Sequence, residues 1–156
     1  KYAKGILNQE DIKAALHQIF TNVRLKNLIE VRDIDCLPVN SIMAPVAFVT
    51  GLIDAPMIRE KLLSIFNSWT LEDKLLWNDL AKCLSGDVDG PGGKSFLDWV
   101  KIISEISIGG LKARKHGEEK YFSNFSENIL LHGPLSFQKQ NNFKKSGKLL
   151  KKYIFS

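Results

Sequence analysis

The run Leu28-Ile29-Glu30-Val31-Arg32-Asp33-Ile34-Asp35, followed at once by Cys36-Leu37-Pro38, decides how this chain is read. It is rich in β-branched residues, and Pro38 marks where regular structure must stop. Side chains alternate with period two along a strand, so Leu28, Glu30, Arg32 and Ile34 share one face while Ile29, Val31 and Asp33 share the other. Glu30 and Arg32 then stand side by side, roughly 6.5–7 Å apart at their Cα atoms. Ile29 and Val31 are expected to anchor the reverse face to a core. The plain reading is a solvated sheet face with a charge pair worth about 0.2–1 kcal/mol. The sharper one is an acid and a base held rigidly at the edge of a site. The strand is expected to begin near Val23 and to end near Asp35.

Outward from this strand the pattern is helical. Residues 8–21 read as a first helix, with Asn8 as N-cap, Glu10 and Asp11 in the first turn, and Ile12, Leu16, Ile19 and Phe20 as an apolar stripe. After Pro38, Ser41 is expected to cap a second helix through Met43, Val46, Phe48 and Val49 to Ile53, apolar nearly all round and therefore buried. Asp54-Ala55-Pro56 opens a third helix to about Phe66. Thr70 opens a fourth, with Leu75, Leu76, Leu80 and Leu84 on its core face. Residues 85–94 hold four glycines and a proline and are expected to be a mobile surface loop. Ser95 caps a fifth helix with Phe96, Trp99, Val100, Ile103 and Ile106 facing inward, which Gly109-Gly110 is expected to break or bend. Residues 118–131 form a sixth, ended by Gly133-Pro134, and the tail from Leu135 is read as helical in two pieces around Gly147.

A chain of 156 residues carries one domain with a real core, and its 44% apolar, 25% charged composition is that of an ordinary soluble protein. No run approaches 18 unbroken apolar residues, so a membrane span is not expected. Lys1-Tyr2-Ala3-Lys4-Gly5 has neither Met nor a signal core and reads as a cut inside a longer polypeptide. Two cysteines make no disulfide framework, which favours a cytoplasmic setting, and Cys36 is expected to be buried and inert. The net charge of +5 is uneven: residues 139–156 hold six lysines and no acid, leaving the rest at −1.

Other chemical signals are weak. Gly93-Lys94-Ser95 resembles the end of a phosphate-binding loop, but Val88 stands where that motif needs glycine. Asp87-Val88-Asp89-Gly90 lacks the further ligands of a calcium loop, and His17, His116 and His132 have no metal-ligand spacing. Trp69, Trp77 and Trp99 fall at helix core faces. In the lysine tail Phe143, Leu150 and Ile154 form a stripe that suits docking on the protein itself, or else an anionic surface.

The wording of three stretches resembles the glutamate–cysteine ligase family, over most of the chain. The strongest is Arg24-Leu25-Lys26-Asn27-Leu28-Ile29-Glu30-Val31-Arg32-Asp33-Ile34-Asp35, similar to a Val-Arg-Leu-Lys lead-in before the family's Glu-x-Arg active-site strand. Next is Ala44-Pro45-Val46-Ala47-Phe48-Val49-Thr50-Gly51-Leu52-Ile53, with Val49 where plant-type members have Trp. The third is Gly110-Leu111-Lys112-Ala113-Arg114 with Glu119–Phe122 and Glu127–Gly133. The resemblance implies ATP-dependent joining of the glutamate γ-carboxylate to the amine of cysteine through an acyl-phosphate, the first step of glutathione synthesis. It implies ATP and Mg2+ as cofactors, Glu30 as a metal ligand, Arg32 as the catalytic, phosphate-binding guanidinium, and Asp35 as a support at the strand end. Family enzymes are more than twice this length and keep further metal carboxylates upstream, so the chain by itself is expected to be inactive.

The expected fold class is therefore α+β: a mostly helical fragment packed on one or a few strands of an antiparallel sheet, glutamine-synthetase-like when complete. Residues 1–138 would be the carboxyl-terminal part of a ligase domain and 139–156 a basic helical tail. Glutamate and cysteine are the expected substrates, with no nucleic acid or membrane partner, and an open sheet edge invites self-association. A reading from another class is a helical interaction module whose basic tail meets an anionic partner.

Overall fold

Helix α1, Gln9–Gln18, begins where Asn8 and Asp11 cap each other: Asp11 N–H donates to Asn8 Oδ1 at 2.9 Å, and Asn8 N–H to Asp11 Oδ2 at 3.0 Å. The same reciprocal box opens α4, Leu71–Leu80, through Thr70 and Asp73, and α5, Phe96–Arg114, through Ser95 and Asp98. The computed structural model describes residues 8–18, 22–25, 28–83 and 86–146. The chain divides into two compact units, Lys1–Cys36 and Leu37–Ser156.

The first unit holds α1 and an antiparallel hairpin. The single strand expected from Val23 to Asp35 is two strands of three residues, β1 (Val23–Leu25) and β2 (Ile29–Val31), in the register Val23↔Val31, Arg24↔Glu30, Leu25↔Ile29. The chain reverses between Leu25 and Ile29, so the lead-in becomes the partner of the strand it precedes. Ile29 does not anchor a core. It is 59% exposed, while Val31 on the same side is half-buried. Cys36 is exposed too, as is Cys83, against the expectation of a buried thiol.

The second unit is all helical: α2 (Ala44–Ile53), α3 (Pro56–Asn67), α4, α5, α6 (Lys120–His132) and α7 (Leu135–Ser146). Ser41 does not cap α2. It lies in a 3-10 turn, Val39–Ser41, and the helix starts after Met43 with Pro45 in its first turn. Nor is α2 buried all round. Its small residues Ala44, Ala47 and Gly51 face inward, while Val46 and Ile53 are exposed. Asp54 closes α2 rather than capping α3, whose N-cap is Ala55.

One core cluster gathers Ala44 and Ala47 of α2, Leu111 of α5 and Phe122 of α6, with Phe48, Ile108 and Phe125 packed on it. Burying a ring such as that of Phe122 is worth roughly 1.5–3 kcal/mol. Here α2 and α5 touch backbone to backbone. A Cβ on Gly110 would lie 1.9 Å from the Gly51 carbonyl oxygen, and Ser107 Oγ donates to Phe48 O at 2.8 Å. Gly109-Gly110 accordingly does not break α5, which runs through both.

A second cluster is aromatic. Trp69 lies 4.9 Å from Phe66, 5.0 Å from Trp99 and 5.6 Å from Trp77, ring centre to ring centre, and Trp77 lies 4.7 Å from Phe96. Leu80 joins the buried set, but Leu75 and Leu76 are exposed; Leu84 lies outside the described residues. The glycine-rich loop is built rather than loose. Pro91 is fully buried and accepts the Trp99 Nε1–H at 2.8 Å, and Asp89 bridges to Ser95. Helix α6 starts at Lys120 and ends at Gly133, whose φ of 78° suits glycine. Helix α7 carries Lys139, Lys144 and Lys145 exposed; the second tail piece around Gly147 lies outside the described residues.

Candidate functional site

The register of the hairpin decides which side chains meet. Arg24 and Glu30 are directly opposed, and Arg32, one residue past β2, keeps the pairing going by donating its N–H to Asn22 O at 2.8 Å. Alternation across this ladder puts Asn22, Arg24, Glu30 and Arg32 on one face.

On that face Arg24 takes hold of Glu30 with two nitrogens. Its Nε lies 2.9 Å and its Nη2 2.8 Å from Glu30 Oε2. Arg32 Nε lies 3.9 Å from the other oxygen, Oε1. The three side chains are partly sheltered, at 19%, 34% and 26% exposure for Arg24, Glu30 and Arg32. One carboxylate thus lies between two guanidiniums. A guanidinium is planar, permanently charged and presents five N–H donors, so the arrangement suits an oxyanion with several acceptor oxygens.

Glu30 and Arg32, singled out from the sequence, come together here. Asp35 does not join them: it is exposed on the coil after β2. Arg24 is the residue that sequence reading left without a role. The signal for it was the five-residue spacing between Arg24 and Glu30, short enough for the two to face each other across a hairpin.

Among the described residues no group of three His, Cys, Asp or Glu gathers that could hold a metal ion. Glu30 is therefore a single carboxylate, and half of it already belongs to Arg24. Such a donor fits a magnesium ion only as one ligand beside phosphate oxygens and water, which is how this ion is commonly held in nucleotide sites. No single helix among the described residues is long and apolar enough to cross a membrane.

No curated protein matches the chain. The family model described as glutamate-cysteine ligase family 2 (GCS2) matches residues 4–102. The match takes in the hairpin, α2, α3, α4 and the first turns of α5, and it ends before the third resembling stretch at Gly110.

Proposed function

Because the chain belongs to glutamate–cysteine ligase family 2, we propose that it supplies part of the catalytic site of an ATP-dependent carboxylate–amine ligase. In this reading a glutamate γ-carboxylate oxygen attacks the terminal phosphorus of ATP and ADP leaves. The cysteine amine then attacks the acyl carbon, inorganic phosphate departs with the former carboxylate oxygen, and the nitrogen loses a proton. The product is a γ-glutamyl amide, the first step of glutathione synthesis, in a cytoplasmic setting.

The observation that supports this is the shared face of Glu30 and Arg32. Arg32 would bind the phosphoryl group as it moves from ATP to the carboxylate, its N–H donors meeting the equatorial oxygens where charge gathers. Glu30 would give one oxygen to magnesium alongside the nucleotide phosphates. When bound, that ion would neutralise phosphate charge and orient the terminal phosphoryl group. Asp35 would steady the end of the strand. One carboxylate and two arginines cannot enclose ATP, glutamate and cysteine, so in this reading further groups complete the site and the chain alone is inactive.

The test is Arg32→Ala in the natural full-length polypeptide. Acyl-phosphate formation, read by positional isotope exchange in ATP with glutamate present and cysteine absent, is expected to fall by at least about a hundredfold. The far-UV spectrum should stay unchanged. Normal turnover by this variant would remove Arg32 from the reaction.

A further inference from the structure

Resting on the ligase reading above, we propose that Arg24 is a second anion-binding residue of the site, so that the hairpin presents a two-guanidinium fork to a phosphoryl group rather than Arg32 alone. Arg24 and Arg32 approach the same carboxylate from two sides, Arg24 at Oε2 and Arg32 at Oε1. Both project from one face, Arg24 by direct pairing with Glu30 and Arg32 by the rung it shares with Asn22. Holding Glu30 occupies the Nε–H and one N–H of Nη2 on Arg24, two of the five donors a guanidinium carries.

Charge leads to the same place. Both guanidiniums are permanently charged and at most about a quarter exposed, so an arriving oxyanion is screened less than it would be on an open surface. The contact with Glu30 also sets the fork's geometry before the anion arrives. Arg24 is already held by Glu30, and the ordering cost of a long side chain is met by an interaction the folded hairpin makes anyway. If Glu30 gave one oxygen to a cation, its pull on Arg24 would weaken and more of the Arg24 donors would be available to the phosphate. Carboxylate and guanidinium would thus change partners together.

The alternative role for Arg24 is a strut that merely holds Glu30, and a double-mutant cycle separates the two. The probe is the magnesium complex of adenosine β,γ-imidotriphosphate, titrated calorimetrically into the natural full-length polypeptide. Arg24→Gln is expected to weaken binding by about tenfold or more. It should do so again in a Glu30→Gln background titrated with the metal-free imidotriphosphate, where there is no charged carboxylate left to hold and no magnesium ligand is missing. If Arg24→Gln has no effect in that background, Arg24 is only a strut and the proposal is overturned. Arg24→Lys keeps a charge against Glu30, and with it the hairpin, but lacks the planar fork. It is expected to bind the probe several-fold more weakly, and wild-type binding by it would overturn the proposal even if Arg24→Gln fails to fold. Arg32→Gln tells the two levels of the reading apart. Loss there with none at Arg24 discards this proposal and keeps the ligase site, whereas no loss at either position discards both.

Discussion

A carboxylate between two arginines owes its position to side-chain parity and to chain reversal, and the two were not equally readable. Parity needs only a local extended backbone, so the common face of Glu30 and Arg32 follows from the sequence. Which residue sits opposite Glu30 depends on where the chain turns, and Lys26-Asn27-Leu28 contains only one strong turn former, so Arg24 stayed hidden. A simpler case at this scale is Asp98. The Ser95 hydroxyl donates to its Oδ2 at 2.7 Å and the Ser95 N–H at 3.1 Å. The hydroxyl contact first, and the amide second, hold the Asp98 carboxyl below its ordinary pKa. A depressed carboxylate stabilises the fold above its unfolded pKa and loses that contribution as pH falls through the lower folded value. Asp98→Asn should therefore flatten the acid side of the melting-temperature profile, from the ordinary carboxylate range downward. Profiles that stay parallel for the two proteins would show that the cap does not titrate.

At the scale of elements, helix starts were legible wherever a cap residue had an acid three places on: Asn8 with Asp11, Thr70 with Asp73, Ser95 with Asp98. Ser41 and Asp54 have Ala44 and Met57 at that place, so neither can complete the reciprocal bond, and the proline in each following helix sets the start instead. The faces of α2 were misread for a different reason. Large apolar residues suggested the core side, yet a close helix crossing requires small ones, and Ala44, Ala47 and Gly51 take that side. This crossing gives two neighbouring glycines opposite fates. Gly110→Ala drives its methyl group into the Gly51 carbonyl, a backbone atom that cannot step aside, and should cost about 1–3 kcal/mol in chemical denaturation. Gly109→Ala has nothing within 4 Å and should stabilise α5 by roughly 0.5–1 kcal/mol. Equal effects at the two sites would contradict the backbone contact.

For the molecule as a whole, the two units have unequal means of holding themselves together. The second has a buried cluster across α2, α5 and α6 and a ring cluster across α3, α4 and α5. The described residues of the first form a ten-residue helix and two three-residue strands, below the roughly 12–15 residues an isolated helix needs and the third strand an independent sheet needs. A peptide of residues 1–36 should therefore show little persistent structure by circular dichroism and no cross-strand nuclear Overhauser effects between Arg24 and Glu30. A fragment of residues 37–146 should stay helical and melt cooperatively. A folded hairpin in the short peptide would contradict this. The division after Cys36 was not legible, since Pro38 signals only that a strand must end and says nothing of which contacts stop there. The indole cluster has a practical consequence. All three tryptophans of the chain belong to it, so intrinsic fluorescence gauges the helical unit, and the ribbon carries no indole of its own. Ile29→Trp, on the open apolar side of the ribbon, would put a fluorophore where the events of interest occur without touching the arginines.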